Sequence, residues 1–121
     1  MNNINSNFSD LANEVAEAGG LRAYRMDRLR DAYEAGRLGP HVVNGISAKL
    51  AQNGLGHLPA ELPQYQEGEV RLYVRGSMVG RIIDAVRQPT PDGDGLILDV
   101  ACTDAREALQ KVRELVCDTE A

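Results

Sequence analysis

The sequence predicts an α+β protein in which N-terminal helices precede a three-stranded antiparallel β-meander and a C-terminal helix. Two observations predict this class. Apolar residues recur at helical spacing over residues 8–15 and 105–116, whereas polar and apolar residues alternate over residues 69–75. The first period is typical of a helix with one buried face, and the second of a half-buried strand. Helices and strands in this order favour helices packed on one face of a small sheet.

Three helices are expected before the sheet. The first covers the apolar positions from Phe8 onwards and ends at Gly19. The second runs over residues 21–36, and the third over residues 40–53, because Pro40 suits a first helical position and Gly54 a left-handed cap. Residues 1–7 are polar and predict a disordered tail, which leaves residues 8–118 as a single α+β domain.

The strands follow a loop over residues 55–68, which is kept from forming a helix or a central strand by two prolines. The alternating segment 69–75, a turn at Gly76-Ser77 and a returning strand over residues 78–86 predict a hairpin. A third strand is expected over residues 96–101, after which Thr103 caps the final helix. These three strands complete the expected meander.

Length and composition exclude several classes of protein. The chain has 121 residues, the usual size of one domain, and a net charge of −5, which argues against bulk attraction to phosphate. No apolar run approaches the roughly 20 residues that span a bilayer, so no membrane partner is expected. Cys102 and Cys117 form no framework of disulfides and are interpreted as reduced thiols. These features together predict a soluble, cytoplasmic protein.

The charges are unevenly distributed along the chain. Residues 20–56 hold six basic and three acidic residues, whereas residues 1–19 hold three acids and no base, and residues 88–121 hold eight acids against three bases. Basic residues at a regular spacing on a helix can share one face and bind phosphates or an acidic partner, although such faces are also commonly solvated. The predicted partner-binding residues are Arg22, Arg25, Arg28, Arg37, Lys49, His57, Arg75 and Arg81.

No arrangement of catalytic residues is recognisable in the sequence. Only His41 and His57 could act as imidazole bases, and neither lies in a zinc-binding or hydrolase motif. Ser47 falls in a predicted helix and Ser77 at a predicted turn, which are poor settings for an activated hydroxyl. Neighbouring glycines and Pro59 fix the backbone around His57 and could expose its imidazole to a ligand. A structural role for His57 is nevertheless favoured over a functional one. We therefore expect no enzyme, no catalytic residue, no metal site and no cofactor.

Two helices followed by a hairpin with a basic tip resemble part of a winged helix-turn-helix. A recognition helix is then expected soon after Gly54, but Pro59 and Pro63 interrupt that stretch. The comparison therefore keeps a DNA-associated, winged-helix-like transcriptional regulator as the alternative function. The absence of the expected helix shifts the favoured partner from nucleic acid to protein.

A second likeness is carried by Gly54-Leu55-Gly56-His57-Leu58-Pro59, followed by Glu61-Leu62-Pro63 and Val70-Arg71-Leu72-Tyr73. This pattern resembles uncharacterised regions of actinobacterial proteins over about residues 37–86. The resemblance implies no known activity.

The favoured function is that of a small, non-enzymatic regulatory or adaptor protein that binds a macromolecular partner, most readily another protein. A three-stranded sheet leaves two edges that a second copy can extend, so a homodimer is also expected. Nucleic acid remains a possible partner under the alternative function.

Overall fold

A computed structural model describes the backbone of residues 3–119 and the side chains of residues 3–102, 107 and 109–114. It confirms the α+β class. The elements in chain order are α1 (Ile4–Glu17), β1 (Leu21–Arg25), α2 (Met26–Ala32), α3 (Pro40–Gln52), β2 (Leu55–Leu58), β3 (Glu69–Val74), α4 (Met78–Arg87) and α5 (Pro91–Thr119).

The chain forms two compact units, Met1–Arg81 and Ile82–Ala121, where the sequence predicts a single domain over residues 8–118. The first unit contains the sheet and the first three helices, and the second contains most of α4 and all of α5. Residues 4–7, expected in a disordered tail, are the first turn of α1. Met1 and Asn2 lie outside the described residues.

The sheet has three antiparallel strands, as predicted, but their order is β1-β3-β2 and not that of a meander. In its register, Tyr73 of β3 lies between Leu21 of β1 and Gly56 of β2. The order of these elements, with the first strand beside the last, is loosely compatible with a winged helix-turn-helix. In that comparison α3, which ends before Gly54, would correspond to the recognition helix.

The largest correction concerns the second predicted helix, since its first five residues form β1. Gly19 and Gly20 both have positive φ, 96° and 99°, and so end α1 in a conformation that other residues rarely adopt. The chain then extends along β3, and the Val74 N–H donates to the Gly20 carbonyl at 2.9 Å. Pairing with a distant strand thus overrides a local helical pattern.

The predicted hairpin over residues 69–86 is correct only in its first strand. Ser77 precedes α4 and not a returning strand, because its hydroxyl accepts a hydrogen bond from the Gly80 N–H at 3.1 Å and donates to the Val74 carbonyl at 2.6 Å. This is the geometry of a helix N-cap. The segment from Met78 to Arg87 is accordingly an amphipathic helix.

The strand predicted over residues 96–101 is also wrong, because those residues belong to α5. Thr90 caps this helix through its hydroxyl, which accepts a hydrogen bond from the Gly93 N–H at 2.9 Å. Pro91 follows at the first helical position, and Asp92 and Asp94 lie in the first turn, where carboxylates favour the positive end of the helix dipole. Thr103, the predicted cap, lies within α5, and its side chain is outside the described ones.

The hydrophobic core of the first unit lies between α1, α2, α3 and one face of the sheet. α1 contributes Phe8, Leu11 and Val15, which are at most 1% exposed, as the helical spacing predicts. The remaining buried members of this cluster are Tyr24, Met26, Leu29, Ala32, Val43, Ile46, Leu50, Leu55, Leu62, Val70 and Leu72. The core therefore fixes the positions of α3 and β2, which form the candidate site.

Tyr73 lies on the opposite face of β3 and packs across Gly56. A Cβ atom at Gly56 would overlap the Tyr73 ring, so this position has room only for glycine. Tyr73 itself is 1% exposed. In the described part of the chain, no helix combines the length and apolarity needed to cross a membrane.

Candidate partner-binding surface

The exposed face of α3 is polar but carries little charge. Val43, Ile46 and Leu50 point into the core and hold the helix in place. The residues that face solvent on the other side recur every three or four positions and are His41, Asn44, Ala48 and Gln52. Amide and imidazole groups of this kind can donate and accept hydrogen bonds with a partner.

The segment that joins β2 to β3, residues 59–68, is here called the wing. It is fixed to α2 at its C-terminal end. The Met26 N–H donates to the Gly68 carbonyl at 2.8 Å, and the Asp27 N–H donates to the Gln66 carbonyl at 3.1 Å. Arg30 also donates to the side-chain oxygen of Gln66 at 2.8 Å. The wing is therefore an ordered loop, as its sequence predicts. The predicted loop began at residue 55, however, and its first four residues form β2 because they pair with β3.

The surface of the wing is acidic and contains one prominent aromatic ring. Tyr65 is 61% exposed, and Glu61 and Glu67 are exposed beside it. No lysine or arginine occurs in residues 59–68. An exposed tyrosine is a frequent anchor in protein interfaces, whereas exposed carboxylates repel phosphate.

A cleft of about 260 Å³ separates α3 from the wing. On the α3 side its walls include Asn44 and Ser47, and on the other side they include Ala60, Glu61 and Gln64. The remaining lining residues are Val43, His57 and Leu62. The cleft thus combines an apolar floor with polar groups from α3 and from the wing.

His57 joins the two sides of this cleft. Its Nδ1 lies 2.8 Å from the Pro59 carbonyl oxygen, and its Nε2 lies 2.9 Å from the Ser47 hydroxyl. A carbonyl oxygen only accepts, so Nδ1 carries the proton, and in the neutral ring Nε2 accepts from Ser47. His57, predicted as a partner-binding residue, therefore connects β2 to α3.

Two of the predicted arginines are held by one carboxylate. Arg22 and Arg28 donate to the two oxygens of Glu14 at 2.8 and 2.7 Å. Both guanidinium groups also lie over the Tyr24 ring, 5.2 and 5.6 Å from its centroid. Burial, followed by the Glu14 charge, raises the pKa of the Tyr24 hydroxyl above its ordinary value, while Arg22 and Arg28 oppose the shift. This group of residues, named here the Glu14 cluster, joins α1, β1 and α2.

Arg22 and Arg25 do not share a helix face, because both belong to β1. Residues three apart on a strand point to opposite sides. Arg22 is opposite Leu72 in the register and Arg25 is opposite Glu69. The prediction of one cationic helix face is therefore wrong for these residues.

The other predicted cations are distributed over several elements. Arg25 pairs with Asp27 at 3.1 Å, and Lys49 donates to the Asn5 side-chain oxygen at 2.6 Å. Arg37, Arg75 and Arg81 are exposed, and no ion pair forms at them within the described residues. Apart from Arg22 and Arg28, which share Glu14, no hydrogen bond or ion pair in the described part of the chain connects the predicted residues to one another.

Several residues of the site were not predicted. Glu14 pairs with two of the predicted arginines, Asn44 and Ser47 line the cleft, and Tyr65 is exposed on the wing. The helical spacing of α3 places Asn44 on its exposed face and is a signal that could have found this residue. The contact between Ser47 and His57 depends on the return of β2 along α3, for which the local sequence gives no comparable signal.

Ligands for a metal do not cluster in the described residues, where no group of three histidine, cysteine, aspartate or glutamate side chains comes together. Cys102 is an exposed, free thiol, and the side chain of Cys117 lies outside the described ones. Comparisons with protein-family models, curated proteins and solved structures found no match to this chain.

Proposed function

We propose that this chain is a small, non-enzymatic regulatory or adaptor protein that acts in the cytoplasm and binds another protein through α3 and the wing. The observation that carries the proposal is the composition of this surface. A winged-helix arrangement presents α3 and the wing to a partner, and here these elements offer amides, an exposed tyrosine and carboxylates. Such a surface matches a polar protein interface better than the phosphate backbone of DNA.

The Glu14 cluster also supports a protein partner. Binding to DNA relies on basic groups that replace counterions along the phosphates. Arg22 and Arg28 already pair with Glu14, and Arg25 pairs with Asp27. Two carboxylates therefore already offset two of these three positive charges before any partner arrives.

The contact between Ser47 and His57 resembles a nucleophile with its base, but its surroundings favour a structural role. Ser47 lies within α3, where the backbone N–H groups donate along the helix. These groups are not free to stabilise an oxyanion beside the hydroxyl, as acyl transfer requires. We therefore infer that this contact fixes the width of the cleft.

The test uses capture of partners from a nuclease-treated lysate of the native host. The wild-type chain is compared with Asn44→Ala and Tyr65→Ser, which alter the surface without touching the core. Asn13→Ala, at an exposed position on α1, is the matched control. We expect a discrete protein to be retained by the wild-type and control chains and to be lost, by about tenfold or more, with the two surface variants. Equal retention by all four chains would contradict the proposed surface.

The second candidate function is a DNA-associated regulator of the winged-helix type. It is favoured by the position of α3 and by Asn44 and Gln52, since such amides can read adenine in the major groove. Arg37 and Arg75 would then contact phosphates. Affinity for random duplex DNA, measured by fluorescence anisotropy at two salt concentrations, separates the candidates. Binding that weakens steeply with salt and is lost on replacing these two arginines by glutamine would favour this function over a protein partner.

A further inference from the structure

The long helix α5 exposes large apolar side chains on one side. Leu98, Leu109 and Val112 are 64%, 57% and 56% exposed, respectively. Scattered apolar residues are common on surfaces, but a continuous row on one helix is typical of an interaction site. α5 extends over 29 residues, long enough for such a row to form an interface.

The spacing of these residues is that of a coiled coil. Leu98, Cys102, Ala105, Leu109, Val112 and Val116 are separated alternately by four and three residues. This repeat places all six at the a and d positions of a heptad, where each residue packs against a second helix. Cys102 is exposed as well, whereas the side chains of Ala105 and Val116 lie outside the described ones and are placed by sequence alone.

We propose that α5 binds α5 of a second copy of this chain as an antiparallel, two-stranded coiled coil. The charge pattern of α5 favours a second α5 as the partner helix, and it favours an antiparallel direction for that helix. Within α5, residues 91–105 carry four aspartates and no basic residue, whereas residues 106–119 carry three basic and three acidic residues. Antiparallel pairing brings the acidic half of each helix towards the neutral half of the other, which holds all the basic residues of α5.

A parallel pair would be repulsive at one end. With Cys102 at an a position, Asp94 occupies a g position and Asp99 the e position of the next heptad. These two positions face each other across a parallel coiled coil. Two aspartates would thus meet at each side of that dimer. In an antiparallel pair centred on Glu107, Asp99 instead shares facing e positions with Arg113 of the second copy, and the two Arg106 residues also occupy facing e positions.

The register with the greatest overlap is centred on Glu107. Cys102 then packs against Val112 of the second copy, while Leu98 and Leu109 come opposite heptad positions 116 and 105 of that copy. The row covers 19 residues, or about 28 Å of helix at 1.5 Å per residue. This is a short coiled coil, so we expect a dimer that dissociates at roughly micromolar concentration.

The first test measures the mass of the full chain by sedimentation across the micromolar range. Leu109→Glu places a charge in the row, whereas Gln110→Glu adds the same charge at the adjacent b position and serves as control. We expect the wild-type and control chains to dimerise and the affinity of Leu109→Glu to fall at least about tenfold. A monomer at every concentration, or equal effects of the two variants, would overturn the proposal.

The second test determines the direction of the pair through disulfide formation. Cys117→Ser removes the second thiol, and Val112→Cys in that background places a thiol opposite Cys102 of the partner. Mild oxidation should link Cys102 to the thiol introduced at position 112 of the other copy, as identified by mass spectrometry of the linked peptides. A Cys102–Cys102 link in the Cys117→Ser chain would overturn the antiparallel arrangement. Neither test involves the proposed protein partner, so its failure leaves the surface of α3 and the wing to be judged separately.

Discussion

The Glu14 cluster and the surface formed by α3 and the wing differ in what their polar groups already contact. In the cluster, one carboxylate binds two guanidinium groups, and both lie over a buried tyrosine ring. On α3 and the wing, Asn44, Gln52 and Tyr65 face solvent. Residues 20–56 are the most basic segment of the sequence, and their charges are therefore the ones most fully paired within the molecule. Formal charge along a chain is a poor guide to the charge available to a partner.

The largest expected effect on stability comes from weakening the packing of α3 against the core. Ile46 is fully buried, and Ile46→Ala should lower the free energy of unfolding by about 2–5 kcal/mol through lost burial and the remaining cavity. Urea denaturation measures this change. Ala48→Ser, on the exposed face of the same helix, should change stability by less than about 0.5 kcal/mol. Equal stabilities of the two variants would show that α3 is not held by the core as described.

A smaller effect is expected from Glu14→Gln, which keeps the shape of the side chain but removes the charge that holds Arg22 and Arg28. The groups are partly exposed, so the stability should fall by only about 1 kcal/mol or less. The variant should also gain weak, salt-sensitive affinity for duplex DNA, because two guanidinium groups become available.

Glu17→Gln provides the control for this change, since it removes the same charge from an exposed position of α1. Fluorescence anisotropy with random duplex DNA compares the two variants. The same gain in affinity from both would mean that net charge, and not the release of the two arginines, is responsible.

The smallest effect should appear only in alkaline solution. The raised pKa of Tyr24 means that the folded protein retains this proton at a pH where the unfolded chain has begun to lose it. The stabilising contribution of the neutral hydroxyl is complete below the unfolded pKa of about 10 and is lost as the pH rises through the folded value. Tyr24→Phe cannot ionise and should lose less stability over that interval. Thermal unfolding of both chains from neutral to alkaline pH measures the difference, and parallel curves would contradict the assigned shift.

Where a local pattern agrees with the final packing, the sequence predicts the structure well. The helical spacing in α1 and α3 predicts buried faces that include Phe8, Val15 and Ile46, although it also places Ala51, which is exposed, on the buried face of α3. The alternation from Glu69 likewise gives β3. Each of these elements buries one face. The spacing of apolar residues along a sequence predicts elements of this kind.

The remaining elements depend on contacts between distant residues or on short caps. β1 contains Tyr24 at a spacing from Met26 and Leu29 that also suits a helix, and only pairing with β3 decides between the two. The segment after Ser77 is apolar enough for a strand, but the serine cap favours α4. At the site, the contact of Ser47 with His57 and the pairing of Glu14 with two arginines likewise form only in the folded chain.

The attachment of the wing to α2 has a consequence for the order of folding. α2 has seven residues, fewer than an isolated helix needs to be stable in water. Its first two N–H groups bond to the carbonyls of Gly68 and Gln66, about 40 residues further along the chain. During synthesis the start of α2 therefore waits, without its final acceptors, until the wing has left the ribosome. We therefore expect the start of α2 to gain its final hydrogen bonds only when residues 66–68 reach their place beside β3.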